Sequence, residues 1–147
     1  MRMFSNAKKR NIGEQHDMAV EVAVIGTGWC GGIRAETLSR SALVSKLHIC
    51  DIRPERLAEV QKITNASAAT ADYQDIIKNP NIVAVYVCTT PEQTHFPIAR
   101  DCLQAGKHVL LEKPIALELW EADTLIACRD DKHNVVFNLS RQPRFLE

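Results

Sequence analysis

Aromatic side chains are scarce, at 5% of 147 residues, and neither sign of charge is in excess, with 18 Lys+Arg against 18 Asp+Glu. A neutral chain lacks the cationic footprint that neutralises nucleic-acid phosphates, so nucleic-acid binding is excluded as a main function. Cysteine pairing is also missing. Cys30, Cys50, Cys88, Cys102 and Cys128 are odd in number and form no C-x-x-C, which suits neither a zinc site nor a disulfide framework. They fit reduced, mostly buried thiols of a cytoplasmic protein, and no metal is expected. Long apolar runs are absent too. The longest, residues 82–88, falls far short of the ~20 residues that span a bilayer, so no membrane role is expected. Residues 1–17 carry Arg2, Lys8, Lys9 and Arg10 without the apolar stretch of a secretory signal, and residues 1–18 are expected to be a disordered leader.

What remains is a chain of ordinary globular make-up, 46% hydrophobic and 24% charged, long enough for one domain. From Ala19 onward, short apolar runs alternate with amphipathic stretches. Strands are predicted at 20–25, 46–51, 68–71, 82–88, 108–111 and 135–139. Helices are predicted at 28–39, at 55–64 with Pro54 in its first turn, after Asp72 as N-cap, at 93–105 with Gly106 just beyond, and at 118–130. The run 82–88 is apolar on both faces, as a central parallel strand must be. The alternation predicts an α/β fold with a doubly wound parallel sheet, a Rossmann fold, in a single domain over residues 19–140.

Gly26-Thr27-Gly28-Trp29-Cys30-Gly31 reads G-x-G-x-x-G between the first strand and first helix. Gly26 permits a tight turn, Gly28 lets a pyrophosphate approach the backbone, and Gly31 lets helix and strand pack closely. The helix N-terminus then offers N–H groups to the phosphates. Asp51 follows Gly31 by 20 residues and ends the second strand, where a carboxylate accepts bonds from the adenosine ribose. Asp51 favours NAD by repelling a 2′-phosphate. Beyond Ile52, Arg53 and Arg56 stand either as a 2′-phosphate clamp, which would admit NADP, or as a solvated helix start. Trp29 either covers the cofactor or fills space.

Two later stretches are more specific. Thr89-Thr90-Pro91 is followed by His95 in T-P-x-x-x-H, and residues 105–114 read A-G-K-H-V-x-x-E-K-P, ending in Glu112-Lys113-Pro114. Here the chain resembles the Gfo/Idh/MocA oxidoreductases. The resemblance implies an NAD(P)-binding Rossmann domain in which Thr89, Thr90 and Pro91 line the cofactor. It places Lys113 between nicotinamide and substrate, binding substrate or assisting proton transfer, and His95 near the same cleft, as a ligand contact or a packing residue. Relatives of this motif can carry a cis bond, which makes Lys113–Pro114 a candidate. The family usually has a second, α+β domain that supplies a catalytic histidine and much of the substrate pocket. Residues 141–147 resemble the start of the connection to it, and His16, His48, His108 and His133 receive no catalytic role.

The resulting expectation is the NAD(P)-binding domain of an oxidoreductase that moves hydride between nicotinamide and a hydroxyl of a sugar, inositol or related polyol. The alternative is a non-catalytic NAD(P)-binding module that senses cofactor or pairs with another chain. An S-adenosylmethionine methyltransferase shares the glycine turn and acidic strand end, but Glu112-Lys113-Pro114 argues against it. This chain alone is expected to be inactive. An apolar patch around Leu119, Trp120, Phe137 and Phe145 is expected to draw a homo-oligomer or partner chain.

Overall fold

Val20, Val22 and Val24 alternate with Glu21 and Ala23, and this β-branched run forms strand β1 (Val20–Ile25) at the centre of a sheet. The computed structural model describes residues 19–131 and 137–139. Five further strands join β1: β2 (Val44–Cys50), β3 (Ala68–Thr70), β4 (Ile82–Val87), β5 (His108–Leu111) and β6 (Phe137–Leu139). Their order is β3-β2-β1-β4-β5-β6 and every pairing is parallel. This is the doubly wound order of a Rossmann fold, with its switch point between β1 and β4.

Register decides where function can sit. Ile25 pairs with both Cys50 and Val87, and Val87 pairs with Leu111, so four strands end in one row. The ladder runs one residue further, with Gly26 N–H donating to Cys50 O at 2.8 Å, Cys88 N–H to Ile25 O at 2.8 Å and Glu112 N–H to Val87 O at 2.9 Å. Gly26, Asp51, Cys88 and Glu112 therefore leave the sheet side by side.

Helices α1 (Trp29–Ser39) and α2 (Pro54–Thr64) cover one face, packing Ala35 and Val60 on Val22, Val24, Leu47 and Ile49. Helices α3 (Tyr73–Lys78), α4 (His95–Gln104) and α5 (Leu119–Asp131) cover the other, where Phe96, Ala99, Cys102, Leu103 and Leu125 meet Val85, Val87, Val109 and Leu111. Both faces of the central strands are buried over their C-terminal halves, Ala23–Ile25 and Val85–Val87, which is why the end of β4 is apolar without alternation, while Val83 near its start is exposed.

Local chemistry sets the boundaries. Asp72 caps α3 by accepting from Gln74 N–H at 2.9 Å, and Gly106 takes φ +77° after α4. The stretch after Pro91 differs from the predicted single helix. A 3₁₀ turn (Glu92–Thr94) comes first and α4 begins at His95, which leaves Pro97 in the first turn, where its missing N–H costs nothing. Lys107 is buried and donates to Asn79 O at 2.5 Å and Ile82 O at 2.8 Å, tying the α3–β4 loop to the start of β5. Burial pulls its pKa down.

Leu119 and Trp120 stand 85% and 59% exposed, though Trp120 also meets Phe96 edge-on at 5.1 Å. The other two residues of the expected apolar patch, the Phe137 side chain and Phe145, lie outside the described residues, as do the expected leader, 1–18, and the expected connection, 141–147.

Candidate functional site

The row of strand ends opens into a cleft of about 240 Å³ at the switch point. Gly26 and Gly28 from the glycine turn line it, with Asp51, Ile52 and Arg53 after β2, and Thr89 and Thr90 after β4. Ile25, Cys50, Ala71, Tyr73, Cys88, Thr94 and Ile98 complete the wall. Sequence reading missed these seven as lining residues. The signal was present for Ala71, since β3 neighbours β2 and its end must lie beside Asp51.

The glycines have distinct reasons. Gly26 adopts φ +86°, and a Cβ there would stand 2.7 Å from the Cys88 and Thr89 backbone. A Cβ on Gly31 would fall 1.8 Å from Gly26 O, so helix and strand can approach only over glycine. A Cβ on Gly28 meets only the Arg53 side chain, at 3.6 Å, which leaves an open cradle in front of the first turn of α1.

Asp51 is the hub of the turn. Thr27, fully buried, donates to its Oδ2 from N–H at 2.8 Å and from Oγ1 at 3.0 Å. Arg53 donates to Oδ1 from N–H at 3.0 Å and Nε at 3.1 Å, and to Oδ2 from Nη2 at 3.1 Å. Burial opposes the charge, but the bonds from Arg53 and Thr27 outweigh it and bring the carboxyl down to about 2. Five donors saturate a group with about four acceptor positions. A ribose hydroxyl can therefore reach Asp51 only when the half-exposed Arg53 guanidinium moves aside.

Arg56 is tied to the glycine turn. Its Nε donates to Thr27 O at 2.6 Å and its Nη2 to Gly28 O at 3.1 Å, with Nη1 on Glu59 at 2.7 Å. It is neither a solvated helix start nor a lining residue of the cleft. Trp29 is 79% exposed and so fills no space in the fold. Cys30 is half-buried, and burial, with Glu112 nearby, raises its thiol pKa. Cys50, Cys88 and Cys102 are buried and likewise raised, Cys50 and Cys102 to about 12, which makes them packing groups.

The second loop pair lies beside the cleft. His95, 2% exposed, places Nδ1 2.8 Å from Pro114 O and Nε2 2.9 Å from Thr89 O, so one ring bridges the loops after β4 and β5. Tyr86 donates its hydroxyl to Glu112 at 2.7 Å. Lys113 is exposed at the loop surface. Lys113–Pro114 is cis, and so is Thr90–Pro91, which sequence reading did not raise. Pro91, His95, Glu112, Lys113 and Pro114 do not line the cleft, nor do Thr27, Trp29, Cys30, Gly31 and Arg56. Among the described residues no cluster of His, Cys, Asp and Glu could hold a metal, and no helix is long and apolar enough to cross a membrane.

A G-x-G-x-x-G turn at the switch point of a 3-2-1-4-5-6 sheet, with an acidic residue ending β2, defines a dinucleotide-binding Rossmann domain. Residues 20–139 match the model of the oxidoreductase family with an NAD-binding Rossmann fold, Gfo/Idh/MocA, and the chain belongs to that family. It is 36% identical over 107 residues to myo-inositol 2-dehydrogenase of Thermotoga maritima, covering 73% of this chain and 32% of the relative. It is 30% identical over 113 residues to the NADP(+) scyllo-inositol 2-dehydrogenase of Bacillus subtilis, covering 77% and 31%. Among solved structures, a probable dehydrogenase from Thermotoga maritima superposes with TM-score 0.77 at 32% identity, over 82% of this chain and 36% of that one. GenD2 from gentamicin A biosynthesis, solved with NAD, gives 0.77 at 30% identity, over 83% and 34%. The chain thus spans about a third of the length of these relatives.

Proposed function

We propose that the chain is the cofactor-binding portion of an NAD(P)-dependent oxidoreductase acting on a hydroxyl of a sugar, inositol or related polyol. The observation that carries the reading is the shared row of strand ends, which gathers Gly26, Gly28, Asp51, Thr89 and Thr90 around one cleft. Gly28 leaves room for the pyrophosphate against α1. Asp51 takes the adenosine ribose once Arg53 gives way. Thr89 and Thr90, on the cleft wall, take the nicotinamide half, and His95 supports their loop.

When bound, the nicotinamide supplies the hydride acceptor or donor. The chain's own part is to bind and orient it. Lys113, exposed beside that end, holds the substrate hydroxyl or its proton. Asp51 favours NAD(H), since a 2′-phosphate would face its buried charge, while Arg53, once released from Asp51, is the cation that would answer one. The inositol-dehydrogenase names among the relatives support the substrate class. Calorimetric titration of the chain with NADH, NADPH and S-adenosylmethionine tests the reading. Saturable NADH binding, weaker NADPH binding and none of the third are expected, and absent NADH binding would remove the proposal.

A further inference from the structure

We propose that Arg56 is a positioning residue of the dinucleotide site, holding the glycine turn so that its N–H groups face the pyrophosphate. The proposal rests on the cofactor reading above. Arg56 stands on α2, outside the cleft, and its side chain is 25% exposed. Its guanidinium reaches back across two elements to the carbonyls of consecutive residues, Thr27 and Gly28. A trans peptide directs its C=O and N–H oppositely. Fixing Thr27 O and Gly28 O on Arg56 therefore turns the N–H groups of Gly28 and Trp29 away from α2. These are the groups that begin α1, where an anion binds. The same turn is held from its other end by Asp51, which accepts the Thr27 N–H. The cradle is thus set by two side chains, an acceptor on Thr27 N–H and a forked donor on the two carbonyls that follow.

Gly32 belongs to the device. It lies in α1 beyond the G-x-G-x-x-G pattern, which assigns it nothing. A Cβ there would stand 2.3 Å from Arg56 Nη2 and 3.5 Å from Thr27 O. The guanidinium occupies the space that an alanine would fill. The obstructing atom is the tip of a flexible side chain, so alanine would displace the arginine without breaking the helix. Alanine in a helix interior is ordinarily stabilising relative to glycine.

This gives a signature that general structural damage cannot imitate. The full chain, Arg56→Lys and Gly32→Ala are titrated with ADP-ribose, NADH and NADPH, and their thermal midpoints are measured. Both variants should weaken all three ligands by roughly tenfold, the worth of one fork of hydrogen bonds. Gly32→Ala should melt no lower than the native chain while doing so. Lysine keeps the charge and loses the fork, so native affinity in Arg56→Lys would overturn the proposal in favour of simple charge attraction. Loss confined to NADPH would make Arg56 a 2′-phosphate clamp and overturn it as well. If Arg56→Lys proves unstable, Gly32→Ala still decides, and unchanged affinity there refutes the fork. A native chain that binds none of the three ligands refutes the cofactor reading itself, and this proposal with it.

Discussion

Thr27 gives both its backbone N–H and its hydroxyl to a single oxygen of Asp51, at 2.8 and 3.0 Å, in a spot where Thr27 is fully buried. The acidic end of β2 therefore builds the glycine turn before it meets any ligand. Asp51 is commonly read as the reader of the ribose. Here it also fixes the peptide that starts the phosphate cradle.

Replacing Asp51 with Asn should consequently cost stability as well as cofactor. The substitution removes a charge that accepts five hydrogen bonds, and bonds to charged groups are worth more than neutral ones. A loss of about 2 kcal/mol is expected, read by urea unfolding. The pH dependence has a definite sign. The folded carboxyl lies at about 2, below an unfolded Asp at roughly 3.9. Its contribution is complete above pH ~4 and disappears as pH falls toward 2. The difference between native chain and Asp51→Asn should shrink in that window, and a constant difference down to pH 2 would contradict the assignment.

Gly28 and Gly31 should fail in opposite ways. A Cβ on Gly28 meets only the side-chain tip of Arg53, so Gly28→Val should fold with a near-native circular dichroism spectrum and bind no NADH. Gly31→Ala drives a methyl to 1.8 Å from Gly26 O, a backbone atom that cannot retreat. It should lose at least about 3 kcal/mol, in the range of severe overpacking. Equal stability of the two variants would contradict this division of roles.

His95 joins two loops through one ring, and carbonyl oxygens face both of its nitrogens. His95→Leu would remove the ring N–H from whichever of Pro114 O and Thr89 O accepts it and break the bridge between the loops, at a cost of about 2 kcal/mol. Because those loops carry Lys113 and Thr90, NADH affinity should fall while ADP affinity, which depends on the glycine turn, stays native. Parallel loss of both ligands would mean that the ring serves the whole domain.

The fold was legible because its signals were redundant. β4 could be placed from its seven-residue apolar run, although Val83 within it turns out exposed, and Gly26, Asp72 and Gly106 punctuated the elements around it. The gathering of Gly28, Asp51 and Thr89 followed from the rule for strand ends. The pairwise bonds were not legible. Arg56 lies 28 residues from Gly28, and its reach depends on how α2 packs beside α1, which no local pattern records. Lys107 belonged to a recognised motif yet gave no hint of its buried bonds to Asn79 O and Ile82 O, because lysine is ordinarily a surface residue. Saturation of Asp51 by Arg53 was hidden for a similar reason. Spacing marked both residues as ligand-facing, whereas the free chain pairs them with each other.

The chain by itself should bind cofactor without turning over substrate. Hydride transfer needs the nicotinamide, a substrate held against it and a group that manages the hydroxyl proton. The strand ends provide for the first, and Lys113 alone, exposed on its loop, would have to provide the other two. An exposed ammonium that no hydrogen bond holds among the described residues positions a hydroxyl poorly, and loss of geometry by 1 Å can cost a hundredfold in rate. The relatives supply about two-thirds more of their own length outside the matched region, enough for a second set of substrate contacts. Residues 1–147 should therefore show saturable NADH fluorescence enhancement and no oxidation of myo-inositol, scyllo-inositol or glucose with NAD. Sustained turnover that disappears in Lys113→Ala would reverse the conclusion, and would make this segment a complete enzyme whose proton handling rests on one lysine.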